Sequence, residues 1–277
     1  MKKIKNIIKK IVRLFKKKEI IPIINIIDKD ELLKDKVVLI TGGSGGIGYA
    51  IAKKLHNCGA KIILTGRDEN KLKKCCEELK DNCKYIVMNQ ADISIINEKI
   101  TDAIKIYGKI DILVNSAGMH IAKSNLNFLN VFNEEYDKVM DLNLKSTYFV
   151  TQEVVKHMIN KKINGHILMI SSQSALEPSW SPYRLSKLGL NGLTKGLAQE
   201  LLKYNIIVNG IAPGPTATNM QLYKNGDSIW TDQTNYKRYT MPEEIAEYAI
   251  LLVSELGNTI IGDTVYMSGG RGIIEIQ

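Results

Sequence analysis

The chain has 277 residues, 44% of them hydrophobic and 24% charged, with 38 basic and 29 acidic side chains. That apolar content excludes a disordered or collagen-like chain, no run approaches the roughly 18 apolar residues of a membrane-spanning helix, and the length suits one large α/β domain or two small ones. The net charge of +9 is concentrated in nine cations (Lys2, Lys3, Lys5, Lys9, Lys10, Arg13, Lys16, Lys17 and Lys18) that precede the first acid, Glu19. Setting those nine aside leaves 29 basic residues against 29 acidic ones, so the rest of the chain has no overall charge with which to attract nucleic acid.

Residues 2–18 place Ile4, Ile7, Ile8, Ile11, Val12, Leu14 and Phe15 on one side of a helix and most of the lysines on the other. A cationic amphipathic segment of this kind reads as an arm lying on an anionic membrane surface, with docking on a partner subunit or organellar targeting as the alternatives. Pro22 and Asn25 interrupt the next apolar run, and residues 28–35 read as a charged linker. Residues 1–35 are therefore taken as arm and linker, and 36–277 as one domain. No secretory signal is legible, so a cytoplasmic protein is expected, with the arm on the inner membrane surface.

From Lys36 onward, β-rich runs at 37–40, 61–64, 85–88, 111–114, 166–170, 206–211 and 264–267 alternate with helical stretches near 47–57, 69–80, 96–107, 134–160, 182–203 and 242–254. The alternation predicts a Rossmann-type α/β fold, a doubly wound parallel sheet of about seven strands with helices on both faces. Cys58, Cys75, Cys76 and Cys83 show no CxxC spacing. They read as reduced thiols in helices and loops, and no metal site is expected.

The first strand runs into Thr41-Gly42-Gly43-Ser44-Gly45-Gly46-Ile47-Gly48 and then into a helix that stops at Gly59, the context of a dinucleotide fingerprint. Gly42 permits the tight turn, Gly46 lets backbone N–H groups approach a pyrophosphate, and Gly48 lets helix and sheet pack closely. At the end of the second strand, where an NAD enzyme usually carries an acid, the chain reads Thr65-Gly66-Arg67. A guanidinium there can grip a 2′-phosphate in bidentate fashion, which favours NADP(H) and leaves NAD(H) open. The alternative is that Arg67 pairs with Asp68 or Glu69.

Ser181 and Pro182 form an N-cap and first helical position, and Tyr183 and Lys187 follow four apart on one face. Bringing a phenol from near pH 10 to neutrality takes about 4 kcal/mol, and one ammonium about 4 Å away supplies about that much at an effective dielectric of 20. Upstream, the strand at 166–170 ends in Ser171-Ser172, at the sheet edge where open α/β folds bind ligands.

With these motifs in order, the chain resembles the short-chain dehydrogenase/reductase family in its compact single-domain branch, over about residues 36–270. It is similar there to 3-oxoacyl-carrier-protein reductases. The resemblance implies that Tyr183 is the acid/base, that Ser172 hydrogen-bonds the substrate carbonyl, and that Lys187 holds the nicotinamide ribose. It further implies that Asn143 supports a proton-relaying water and that Asp92 meets the adenine. Ser44 and Ile47 belong to the phosphate turn, Asn115, Ala117 and Gly118 line the cofactor and brace the sheet, and Pro213, Gly214, Thr216 and Thr218 close over it. Asn143 capping a turn, Asp92 capping a helix, and Ser171 in place of Ser172 are the local alternatives.

The segment between Pro215 and Pro242 is read as a lid, and His120, Gln173, Trp180 and Trp230 are the candidates for substrate contact. Together these readings predict an NADP(H)-dependent oxidoreductase acting on a small carbonyl or secondary alcohol, with 3-oxoacyl or sugar-type substrates in view. The resemblance also implies a homotetramer or homodimer built on helices around 147–160 and 183–201. A catalytically silent dinucleotide-binding scaffold is the alternative function.

Overall fold

The computed structural model describes residues 31–121, 126–224 and 226–273; the arm expected over residues 2–18 lies outside them. In chain order the main elements are β1 (Val37–Thr41), α1 (Gly46–Asn57), β2 (Lys61–Gly66), α2 (Glu69–Leu79), β3 (Cys83–Val87), α3 (Ile96–Tyr107) and β4 (Ile112–Asn115). Then come α4 (Asn133–Met140), a π-helical turn (Asp141–Lys145), α5 (Ser146–Lys161), β5 (His166–Ile170), α6 (Pro182–Leu201), β6 (Ile207–Pro213), α7 (Pro242–Val253) and β7 (Thr264–Met267).

The strands form one seven-stranded sheet in the order β3-β2-β1-β4-β5-β6-β7, with every pairing parallel. Alternate residues of β1 show how it is covered. Val38 and Ile40 pack with Ile51 and Leu55 of α1 and Ile245 and Ala249 of α7, whereas Val37 and Leu39 face Ile100 of α3 and Val150 and Val154 of α5. Burial on both faces explains why the strands read as near-continuous apolar runs. Because β1 sends its connection one way to β2 and its other neighbour is β4, a crevice opens at its carboxyl end.

Three local features differ from the sequence expectations. The long helix expected over 134–160 is interrupted at Asp141–Lys145 by the π-turn, where the hydroxyls of Ser146 and Thr147 donate to the carbonyls of Leu142 and Asn143. β3 begins at Cys83, which pairs with Ile62, so this cysteine lies on a strand rather than in a helix or loop. Leu33, inside the expected linker, is 1% exposed and its N–H donates to the Cys58 carbonyl, so the folded unit starts before Lys36. Leu33→Ala should destabilise the protein by about 3 kcal/mol, read as a lowered Tm, because a full core side chain leaves a cavity behind. A surface linker residue would change it little.

The 215–242 excursion is closed at its base by Thr240 N–H to Pro215 O and Ala217 N–H to Thr240 O. Arg238 then grips Glu244 of α7 through both terminal nitrogens, 2.7 Å each, and this guanidinium holds the Glu244 carboxyl down at about 2. The stabilisation from that carboxylate is whole above its ordinary range and is lost as pH falls through about 2.

Candidate active site

The crevice at the end of β1 is a cleft of about 550 Å³. Its floor is the turn between β1 and α1. Gly42 has φ +63°, and a Cβ there would lie 2.8 Å from the Ala117 Cα, so only glycine fits. Gly45 caps α1 without a side-chain bond, and the first turn contains no acid. The free N–H groups and positive end of α1 therefore face the cleft beside Ser44, Gly46, Ile47 and Gly48, an arrangement that receives anions. Thr218 closes over this turn: a Cβ on Gly46 would stand 2.5 Å from its Cγ2.

Behind the cleft, the buried Thr41 hydroxyl accepts the N–H groups of Ser116 and Ala117, fixing the loop after β4. Ser116, Ala117 and Gly118 line the cleft. Asn115 is buried in β4 and donates to Thr151 Oγ1 and Met169 Sδ, so its side chain braces the sheet. Pro213 ends β6, Gly214 abuts the Ser268 backbone, and the Thr216 hydroxyl donates to Gly214 O; these three shape the turn that carries Thr218.

At the far corner, Gly66, Arg67, Asp68 and Lys71 line the wall with Ser44. Asp68 accepts the Lys71 N–H at 3.1 Å and sits 3.4 Å from its ammonium, and Glu69 accepts from the Tyr85 hydroxyl. The surface pairing of Arg67 with either acid therefore does not form, and among the described residues Arg67 makes no ion pair. Asp92 caps the short turn Ile93–Ile95 by accepting from Ser94 N and Oγ, and it does not line the cleft. Gln90, not anticipated from the sequence, does line it: the amide donates to Ser146 Oγ, while its buried Oε1 has no partner among the described residues. Lys71 was also missed, because its signal is only a cation one helical turn after Arg67.

α6 begins as its residues dictate, with the Ser181 hydroxyl accepting the Arg184 N–H and Pro182 in the first turn. This delivers Tyr183 and Lys187 to the cleft wall. Lys187 Nζ donates to Ile170 O at 2.9 Å and lies 5.7 Å from the Tyr183 ring centroid. The electrostatics correct the expectation that the ammonium lowers the phenol. Burial raises Tyr183, a hydrogen bond with Ser172 opposes that shift, and burial pushes Lys187 itself down to about 8. The cation is directed at a backbone carbonyl, and desolvation of the phenolate prevails.

The two serines divide their work. Ser171 donates to the Lys187 carbonyl at 3.2 Å, anchoring α6 to β5, whereas Ser172 reaches the Tyr183 phenol and accepts the Ser174 N–H. Asn143, fully buried in the π-turn, accepts from Met119 N and donates to Met119 O and Ser186 Oγ. Its amide thus couples the loop after β4 to the helix of Tyr183. Both amide hydrogens are engaged by protein atoms.

Of the four substrate candidates, the structure brings His120 to Tyr183, edge-on at 6.2 Å between centroids. The two His120 ring nitrogens each lie 3.1 Å from a backbone carbonyl, of Ile121 and of Met220, linking the loop after β4 to the 215–242 excursion. Trp180 is 38% exposed with the Arg184 guanidinium over its ring, and Trp230 is 68% exposed on the excursion. Gln173 is buried away from the cleft, against Glu177.

Glu177 itself had no signature in the sequence. It pairs with Arg184 at 2.6 Å and Arg271 at 2.9 Å, tying the loop after Ser172 to the helix of Tyr183 and to the C-terminal segment. Glu177→Gln should cost about 1–2 kcal/mol of stability and lower kcat more than it raises the cofactor KM. An unchanged kcat would show that the loop holds Ser172 without this clamp.

A family model described as short chain dehydrogenase matches residues 36–228. The chain is 36% identical over 242 residues to a 3-oxoacyl-[acyl-carrier-protein] reductase of Rickettsia bellii, covering 86% of this chain and 97% of that protein. It is likewise 36% identical over 246 residues to an acetoacetyl-CoA reductase of an Acinetobacter species, covering 86% and 98%. A crystal structure assigned as a gluconate dehydrogenase from Agrobacterium tumefaciens superposes with a TM-score of 0.79 at 28% identity, covering 88% of this chain and 98% of that one.

Proposed function

The chain belongs to the short-chain dehydrogenase family, and on that premise we propose that it is an NADP(H)-dependent reductase of 3-oxoacyl thioesters. It is an oxidoreductase acting on CH–OH and C=O groups. The observation that carries the finer reading is the meeting of Ser172, Tyr183 and Lys187 beside a glycine turn whose helix N-terminus has no capping side chain and no acid. A catalytically silent scaffold gives no reason for that constellation to be complete.

A nicotinamide dinucleotide, when bound, supplies or accepts the hydride. The residues present suit it: Gly42, Ser44, Gly46, Ile47 and Gly48 would hold the pyrophosphate, and Arg67 with Lys71 the 2′-phosphate. Ala117, Gly118, Thr218 and Lys187 would line the nicotinamide half. Ser172 hydrogen-bonds the substrate oxygen, which orients the carbonyl. Tyr183, kept protonated by burial, donates its phenolic proton to that oxygen as negative charge develops there. Lys187, at about 8, carries its charge at neutral pH. Asn143 acts by fixing the distance between the loop and α6.

The substrate class is tested by supplying acetoacetyl-CoA, simple ketones and aldoses with NADPH and following its oxidation. The thioester should give the highest kcat/KM. Turnover of sugars alone would overturn the thioester assignment, and turnover of nothing would favour the scaffold.

The exposed Tyr148 on α5 and Leu185 and Leu188 on α6 suit a homodimer or homotetramer built on those helices. The basic segment at residues 2–18 fits an anionic membrane surface, each cation contributing about 1 kcal/mol there. Full-length protein should co-sediment with phosphatidylserine vesicles at low salt, and protein lacking residues 1–18 should not. Equal sedimentation of the two removes the membrane role.

A further inference from the structure

Away from the cleft, Cys76 on α2 and Cys83 on β3 place their sulfurs 3.0 Å apart, about 1 Å beyond a disulfide bond length of about 2.05 Å. The two line an open cavity with Lys73, Lys80, Lys84 and the single acid Glu77. Cys83 is buried and its S–H donates to Cys76, which is half-buried at the cavity wall. That donated hydrogen bond holds the Cys76 thiol below its usual range and Cys83 above it. Cys75, by contrast, is pushed up to about 11 by burial. One sulfur is thus an activated nucleophile in a cationic setting, and the second stands behind it within reach.

We propose that Cys76 and Cys83 form an oxidisable dithiol that hydroperoxides convert to an intramolecular disulfide joining α2 to β3. The Cys76 thiolate attacks a peroxide oxygen; an S–O bond forms, the O–O bond breaks, and the leaving oxygen departs as water or an alcohol after taking up a proton. Cys83 then attacks the Cys76 sulfur, the S–S bond forms, the S–O bond breaks, and water leaves. The two thiols give up two electrons, and the peroxide accepts them. The disulfide would lie behind the wall that carries Arg67 and Lys71, and its formation does not depend on the assigned reductase activity.

The test uses the full-length protein treated with one equivalent of hydrogen peroxide, then alkylated and digested with trypsin. Titratable thiols should fall from four to two per chain and return with dithiothreitol. Peptides 75–80 and 81–84 should be recovered joined, two mass units lighter than their sum. Because Cys75 shares a peptide with Cys76, Cys75→Ser should keep the cross-link and Cys76→Ser should abolish it. In Cys83→Ser, dimedone should trap a sulfenic acid on Cys76. Four surviving thiols, a cross-link through Cys75, or oxidation of Cys76 to sulfinic acid without a cross-link would each overturn the proposal.

Discussion

Replacing Tyr183 with phenylalanine should lower kcat for ketone reduction by about 10³-fold while the KM for NADPH stays within about twofold. The substitution removes one oxygen and keeps the ring that packs against His120 and Lys187, so the wall of the cleft is retained. What is lost is the proton donor. Burial holds the phenol protonated through neutrality, which suits it to deliver a proton during reduction. The same burial slows the reverse reaction, in which Tyr183 must accept one, and alcohol oxidation should therefore demand a higher pH than ketone reduction. Single-turnover rates for wild type and Tyr183→Phe separate this chemical step from product release. Retained chemistry in the variant would transfer the acid role to another group, with Lys187 and the edge-on His120 both beside the ring.

Arg67→Ala should raise the KM for NADPH at least tenfold and leave that for NADH within about twofold. A hydrogen bond to a charged group contributes about 1.5–3 kcal/mol, and each 1.4 kcal/mol is a factor of ten in affinity, so the expected effect lies above that threshold. The geometry supports the selectivity because Asp68 is occupied by Lys71 and Glu69 by Tyr85, and among the described residues the guanidinium makes no ion pair. Lys71 stays in the same corner, so the double variant Arg67→Ala/Lys71→Ala should lose more NADPH affinity than the single one. Equal effects on both dinucleotides would remove the 2′-phosphate from this corner.

Arg67 and Asp92 show how unevenly a site can be read from its sequence. The position of Arg67 on the cleft wall follows from the second strand ending at a set place in the alternation, because strand ends set where the cleft must be. The carboxylate of Asp92 was ambiguous between ligand and cap, and the structure places it as a cap for Ser94. Gln173 follows Ser172 directly and Trp230 lies on the segment expected to cover the site, and both are loop positions whose course depends on distant contacts; the first is buried and the second is exposed. Glu177 escaped notice for a related reason, since Arg271 becomes its partner only when the C-terminal segment returns to the loop after Ser172.

Period and punctuation by themselves determined the parallel seven-stranded sheet, the glycine turn after β1, and the single face shared by Tyr183 and Lys187. Each of these depends on residue order over short stretches: near-continuous apolar runs alternating with helical ones, a positive φ at Gly42, a helical repeat from a Ser181 cap. Only the tertiary structure decided the π-turn that aims Asn143, the burial that sets the protons on Tyr183 and Lys187, and the meeting of Cys76 with Cys83. Those depend on desolvation and on contacts between separate elements, which no local pattern encodes.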